Sequence, residues 1–299
     1  MPLELRPLHP LFVAEARGLD LSRPLAAAEV AAVTVAMDKY AVLLFPGQRL
    51  SEPEQVAFAR QFGPLNPGLK QIGRQQERLQ EYTAIDISNL GDDGKPLPRD
   101  SRKVISSLAN QLWHSDSSFQ APAVSYSMLH ALRLPSWGGE TEFCDLRAAW
   151  DALPDRLKAR VEGLAAEHFA LHSRMTLLGD DQYTAEQQAA LPAVVWPLKR
   201  VHPGSGRTAL FVGIHARKIL GMGLAEGKML LLDLLEHATQ PAFRWTHRWT
   251  VGDLVMWDNR CTLHRGRAYD LSEVRELRRT TTDEVPVGAT PSGWAQAAE

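Results

Sequence analysis

Trp113-His114-Ser115-Asp116 sets an imidazole and a carboxylate two residues apart. In an extended segment, residues i and i+2 project to the same side, so His114 and Asp116 can hold one metal ion together. A third ligand has to come from elsewhere. The chain has ten histidines, so presence alone selects none of them. His264 is singled out by its setting: it follows Trp257-Asp-Asn-Arg-Cys-Thr-Leu, read here as the end of a strand and the start of a turn, and Gly266 then leads into an arginine-rich segment. Two neutral imidazoles and one carboxylate on one face of an octahedron make the facial triad of non-haem iron(II) oxygenases. That triad leaves three positions for a chelating cosubstrate and O2.

The arginine-rich segment, Val274-Arg-Glu-Leu-Arg-Arg-Thr280, reads as a strand. Alternation places Arg275, Leu277 and Arg279 on one face and Val274, Glu276 and Arg278 on the other. A buried guanidinium needs an anion, and its fork suits a carboxylate held by two hydrogen bonds. Two such groups four residues apart suit the distal carboxylate of an oxoacid and the anionic group of a second substrate. Arg278 and Glu276 read as a solvated, charged strand edge.

The surrounding segments must supply a frame for these groups. Residues 29–39 form an amphipathic pattern and 41–45 a short buried strand. Ser51-Glu-Pro-Glu54 has the form of a capping box that starts a helix running to about Gln61. Strands are expected over 81–90, 124–134, 140–144, 243–249, 253–257 and 274–282. A hairpin is expected from 194–201 and 208–214 around His202-Pro-Gly-Ser-Gly-Arg207. Helical periodicity covers 145–164, interrupted at Pro154, and 225–239, with Leu230, Leu231, Leu234 and Leu235 on its apolar face. Residues 66–80, 95–107 and 172–192 read as long loops, Gly91-Asp-Asp-Gly94 as a turn, and 286–299 as a frayed tail. A few helices decorating many short strands, without regular strand–helix alternation, argue against a doubly wound parallel sheet. The pattern predicts a single domain over 1–299. Its class is mainly β with helices (α+β): a double-stranded β-helix, or jelly roll, with flanking helices and long loops at its mouth.

The formal net charge of -2 gives no electrostatic case for nucleic acid or an anionic membrane as partner. Two cysteines, Cys144 and Cys261, read as buried small hydrophobes in a reducing compartment. With no signal-peptide core and no spanning apolar run, a soluble cytoplasmic protein is expected, with a homo-oligomer left open.

A His-x-Asp pair, a Gly-Gly-Glu-Thr stretch and a distant His followed by Arg-x-x-x-Arg together resemble the taurine dioxygenase family of 2-oxoglutarate-dependent oxygenases. The likeness extends from Leu43-Leu-Phe-Pro-Gly-Gln48 and Phe58-Ala-Arg-Gln-Phe-Gly63 to Arg279-Thr280. It is most extended in Asn110-Gln-Leu-Trp-His-Ser-Asp-Ser-Ser-Phe119, Gly139-Glu-Thr-Glu-Phe-Cys-Asp145 and Gly252-Asp-Leu-Val-Met-Trp-Asp-Asn-Arg260, runs similar to those of members that cleave aryloxyacetates.

The resemblance implies iron(II) as metal, on His114, Asp116 and His264, with 2-oxoglutarate and O2 as cosubstrates. It implies that Thr141 supports Arg275 on the 2-oxoglutarate carboxylate, and that Arg279 lies near the anionic end of a small organic substrate. Asn110 and Ser117 would border substrate and cosubstrate, and Trp257 would stand beside the iron. Lys70 and Lys95 fall in loops where this group of enzymes places cations for a substrate carboxylate, while His202 and His215 flank the hairpin and read either as pocket-lining or as structural. An alkyl sulfonate, a sulfate ester or an aryloxypropionate would suit the same chemistry. A zinc hydrolase or a non-catalytic metal-binding barrel could use the same three ligands. Redox-silent zinc needs no oxoacid, however, so Arg275 and Thr141 argue against both.

Overall fold

The computed structural model describes residues 2–68, 78–179, 184–189 and 191–285. Lys70 and the 286–299 tail lie outside them. In chain order the elements are β1 (Glu4–Pro7), β2 (Ala14–Arg17), α1 (Ala27–Tyr40), β3 (Val42–Phe45), α2 (Glu52–Arg60), β4 (Ile85–Ser88), α3 (Arg102–Ser107), β5 (Val124–Arg133), β6 (Thr141–Asp145), α4 (Leu146–Asp151) and α5 (Asp155–Val161). They continue with β7 (Ala165–His168), α6 (His172–Leu178), α7 (Ala185–Ala189), β8 (Val194–Pro197), β9 (Lys199–Val201), β10 (Thr208–Leu210), β11 (Ala216–Ile219), α8 (Leu224–Ala238), β12 (Arg244–His247), β13 (Leu254–Asp258), β14 (Thr262–Gly266) and β15 (Glu276–Asp283).

A seven-stranded sheet in the order β1-β2-β3-β13-β5-β15-β4 faces smaller sheets, chiefly β12-β6-β14, with β11-β7-β8 and the β9–β10 hairpin beyond. The middle strands of the large sheet are apolar on both faces. In β3, Leu43 and Phe45 meet Met256 of β13 and the buried sides of α1 (Val33, Met37) and α2 (Phe58). Val42, Leu44, Val255 and Trp257 point the other way and pack against Phe143 of β6. The outer side of the small sheets is covered in turn by α4 and α8, through Leu146, Leu230 and Leu234. The jelly roll is therefore clad by helices on both outer faces, which is why its central strands read as nearly continuous hydrophobic runs.

The capping box holds: Ser51 Oγ accepts from Glu54 N (3.4 Å), and Glu54 Oε2 accepts from Ser51 N (2.7 Å). The predicted loops are richer in structure than their composition suggests. The 95–107 loop contains α3, capped by Ser101 accepting from Val104 N at 3.4 Å, and 172–192 contains α6 and α7. Strands β7 and β11 occupy segments assigned no element, and 194–201 splits at Leu198, so that β8 pairs with β7 and only β9 belongs to the hairpin.

Two corrections touch the site. His264 is not at a strand's end but in the middle of β14, a separate strand entered through the tight turn after Asp258. Nor is β15 an edge strand, since β5 and β4 flank it. Its Arg278 is buried rather than solvated, donating through Nε to Gln55 Oε1 (2.8 Å) and through a terminal nitrogen to the Leu50 and Ser51 carbonyls (2.8 and 3.0 Å). The face opposite Arg275 is covered by α2, so a cation there ties helix to sheet. Glu276 is not solvated either but ion-paired, with Arg78 and Arg133.

Candidate metal and oxoacid site

His114 and His264 are held opposite each other by their own backbones. His114 N donates to His264 O (3.0 Å) and His264 N to His114 O (2.8 Å), an isolated antiparallel bridge. Residues that exchange both bonds project their side chains to one side, and the two rings lie 4.1 Å apart. His114 Nδ1 is 2.7 Å from the Leu112 carbonyl oxygen. That oxygen can only accept, so Nδ1 carries the proton and Nε2 presents a lone pair.

Asp116 completes the set. Its Oδ1 is 4.0 Å from His114 Nε2 and its Oδ2 3.8 Å from His264 Nε2, and the three ligand atoms all lie within 4.8 Å of one another. All three residues are buried. Burial lowers the pKa of both imidazoles, His264 well below its usual value, which keeps them neutral as ligands must be. Burial alone would raise the Asp116 carboxyl, but the Arg279 guanidinium, helped by the Ser127 hydroxyl, outweighs it and holds Asp116 below its usual range. Two neutral nitrogens and one anionic oxygen, converging and preformed, fit an iron(II) ion.

Arg275 is the second feature. It is buried, and among the described residues no carboxylate pairs with it. A terminal nitrogen donates to Gly139 O (3.0 Å), its guanidinium lies over the Tyr269 ring at 5.3 Å, and Nε has no partner among the described residues. Burial pushes it down to about 10, the nearby Tyr269 opposing, so at neutral pH it remains a cation in want of an anion. Gly139, at φ +74°, is what lets it lie there: a Cβ would come within 2.9 Å of Arg275 Nε. This gives the Gly-Gly-Glu-Thr stretch a physical meaning. Two residues on, Thr141 is buried at the start of β6 and accepts from Trp249 Nε1 (3.1 Å), leaving its own hydroxyl proton uncommitted.

The other expected residues divide. Trp257 is fully buried with its ring 4.7 Å from that of His264, and Phe143 stacks at 6.1 Å on the same imidazole. Arg279 forms an ion pair with Asp116 itself. Ser117 turns the chain at a left-handed φ of 45° directly after the carboxylate. Asn110 lies in a 3-10 turn (Leu108–Gln111) whose backbone approaches Gly266 at the end of β14. His215 packs edge-on to His114 (6.1 Å) and Phe119 (4.8 Å), and its Nδ1 has no partner among the described residues. By contrast His202 is structural, bonded to Asp258 at 2.9 Å and to Ser205. Lys95 is exposed in the turn closed by Gly91 N donating to Lys95 O. Sequence reasoning overlooked Ser127 and Asn259, which hold Asp116; neither has a spacing that marks it.

A jelly roll that carries a buried His–Asp–His cluster and a buried arginine without a carboxylate partner among the described residues fits a metal- and oxoacid-dependent oxygenase. Residues 4–281 match the family model described as "Taurine catabolism dioxygenase TauD, TfdA family", and the chain belongs to that family. It is 55% identical over 282 residues to the alpha-ketoglutarate-dependent 2,4-dichlorophenoxyacetate dioxygenase of Cupriavidus pinatubonensis, covering 94% of this chain and 98% of that one. It is 38% identical to the (S)-phenoxypropionate/alpha-ketoglutarate-dioxygenase of Sphingobium herbicidovorans, covering 79% and 80%. Among solved structures, AAD-2 in complex with Mn(II) and N-oxalylglycine superposes with a TM-score of 0.88 at 45% identity, covering 96% and 98%. The chain is thus a 2-oxoglutarate-dependent dioxygenase that uses iron(II) and O2, as the resemblance implied.

Proposed function

We propose that the enzyme oxidises an aryloxyacetate such as 2,4-dichlorophenoxyacetate, with His114, Asp116 and His264 holding iron(II) and with Arg275 and Thr141 holding the far carboxylate of 2-oxoglutarate. The observations that carry the site assignment are the preformed His–Asp–His cluster and the buried Arg275 guanidinium, which has no carboxylate partner among the described residues. The substrate class rests on the 55% identity to the 2,4-dichlorophenoxyacetate enzyme.

When bound, iron(II) with 2-oxoglutarate and O2 supplies the oxidising power for a substrate C–H bond, and 2-oxoglutarate leaves as succinate and CO2. The protein's part is orientation and exclusion of water. Arg275 offers its fork to the distal carboxylate, and Thr141, its oxygen already occupied by Trp249, can give that carboxylate its hydroxyl proton as a hydrogen bond. Arg279 neutralises Asp116 and directs its remaining N–H groups toward the substrate anion. Trp257 and Phe143 seal the far side of His264 from water. Hydroxylation of the carbon beside the ether oxygen makes a hemiacetal, which collapses to a phenol and glyoxylate.

Two measurements test this reading. Anaerobic addition of iron(II) and 2-oxoglutarate should develop a weak visible charge-transfer band. Succinate release should then be highest with aryloxyacetates in a panel that includes aryloxypropionates, alkyl sulfonates and sulfate esters. No band and no succinate with any member would sink the site assignment. Equal turnover across the panel would sink the substrate assignment alone.

A further inference from the structure

Asp116 is oriented from a distance, by a closed ring of hydrogen bonds. Its backbone N donates to Asn259 Oδ1 (3.0 Å), Asn259 Nδ2 donates to Ser127 Oγ (3.0 Å), and Ser127 Oγ donates to Asp116 Oδ2 (2.7 Å). The Asn259 amide has no spare capacity. Oδ1 also accepts from Trp257 Nε1 (3.0 Å), and the second hydrogen of Nδ2 reaches Ser125 O (3.3 Å). Asn259 N donates to the same carbonyl at 2.7 Å, which fixes the turn between β13 and β14 against β5. Asn259 and Ser127 are both buried.

The direction of this ring follows from its donors. Asp116 N–H and Trp257 Nε1–H can only donate, so the atom between them must be the amide oxygen, and the amide cannot flip. The amide nitrogen therefore faces Ser127 and donates to it. The single Ser127 hydrogen is then directed to Asp116 Oδ2 in a charge-assisted bond. The same amide oxygen anchors the Trp257 indole, whose ring lies 4.7 Å from the His264 ring.

We infer that Asn259 is a positioning residue for the metal centre, setting the rotamer and charge environment of Asp116 through Ser127 and the packing of His264 through Trp257. This rests on the triad being the metal site. Such outer partners are worth about 10–100-fold in metal affinity in other metalloproteins.

Asn259→Asp is the sharpest probe. It keeps the shape but removes both side-chain hydrogens. Ser127 must then turn its hydroxyl to the new carboxylate, which leaves Asp116 Oδ2 without its donor and beside a like charge. Ser127→Ala cuts only the last link of the ring. Titration of the metal-free proteins with Mn(II) or Co(II) should show affinity lower by about 10–100-fold in both variants. The d–d bands of the Co(II)-loaded variants should also be altered. Should Asn259→Asp fail to fold, Ser127→Ala decides. Unchanged affinity with an unchanged Co(II) spectrum overturns the inference. So does weaker binding that merely follows a lower melting temperature while the Co(II) spectrum stays as in the parent. Failure of the parent protein itself to bind one ion overturns the triad assignment instead, so the two failures are distinguishable.

Discussion

Among the described residues, two buried clusters bring a histidine and an aspartate together with a third ligand-type side chain: His114, Asp116 and His264 at one place, His202, Asp258 and Cys261 at another. In the second, Asp258 accepts from Arg260 through Oδ1 (backbone N and Nε, both 2.9 Å) and through Oδ2 (2.6 Å), and His202 Nε2 takes the remaining side of Oδ2 at 2.9 Å. Burial pushes the Cys261 thiol far above its ordinary range, so it is not a thiolate. A guanidinium already takes both oxygens of that carboxylate. In the first cluster both imidazoles turn Nε2 inward and Arg279 reaches Asp116 from one side only; elsewhere Arg275 is buried without a carboxylate partner among the described residues. Proximity of ligand-type residues is shared by both. What separates a binding site from a structural knot is which hydrogen-bonding capacity remains open.

The largest contrast comes from removing each aspartate. Asp116→Ala should abolish stoichiometric Mn(II) binding and succinate formation and leave a folded protein. Asp258→Ala leaves Arg260 and His202 buried without their acceptor, so it should lower stability by about 3–5 kcal/mol while the folded fraction still binds one ion. Urea melts and metal titrations on both variants check this. Two ions per chain in the parent, or loss of the ion in folded Asp258→Ala, would erase the distinction.

The next contrast is between two buried arginines. Arg147 and Asp145 are fully buried and paired at 2.9 Å, and Arg147 also donates to Asp38 O (2.8 Å), which ties α4 to the end of α1. Breaking that pair with Arg147→Ala should cost about 3–5 kcal/mol of stability without changing the KM for 2-oxoglutarate. Arg275→Ala removes a buried charge that has no carboxylate partner among the described residues, so stability should hold or rise slightly. The KM for 2-oxoglutarate should climb about 10–100-fold, as loss of a charged hydrogen bond requires. An Arg275→Ala protein that melts early and keeps its KM would make this arginine another structural cation.

The comparison also explains what could be read from the sequence alone. His114 and Asp116 were legible from their i, i+2 spacing, although the chain already turns at Asp116, and Arg275 from its place directly before β15, four residues from Arg279. His264 does join His114 and Asp116 in one cluster, but its place in the fold was misread. Asp258-Asn-Arg-Cys261 makes its tight turn by side-chain bonds from Asp258 to Arg260, with no Gly or Pro to announce it. Alternation separated Arg278 from Arg279 correctly, yet could not show that α2 covers the Arg278 face. Helices α3 and α6 are too short for a periodic signal, and Ser101 as an N-cap was the only local sign of the first. Asn259 and Ser127 were invisible for a different reason. Their bonds to Asp116 run between β5, the β13–β14 turn and the His114 segment, and no spacing records such a meeting.

The smallest effect separates two buried threonines. Thr262 donates its hydroxyl to Asp258 O at 2.6 Å, so its hydrogen is committed inside the structural cluster. Among the described residues Thr141 only accepts, from Trp249 at 3.1 Å, which leaves its hydrogen for a carboxylate placed beside Arg275. Replacement of either by Val keeps the volume and removes about 0.5–1.5 kcal/mol of hydrogen bonding. For Thr262→Val the loss should appear in the urea midpoint, with kinetics unchanged. For Thr141→Val it should appear chiefly as a rise of about 2–10-fold in the KM for 2-oxoglutarate. Because Trp249 also loses its acceptor, a modest drop in stability accompanies it, and the KM is the discriminating measurement. In an Arg275→Ala background the Thr141→Val effect on KM should shrink, since both residues would hold the same carboxylate and their effects would couple. Full additivity in the double variant would show that Thr141 acts on something other than the anion beside Arg275.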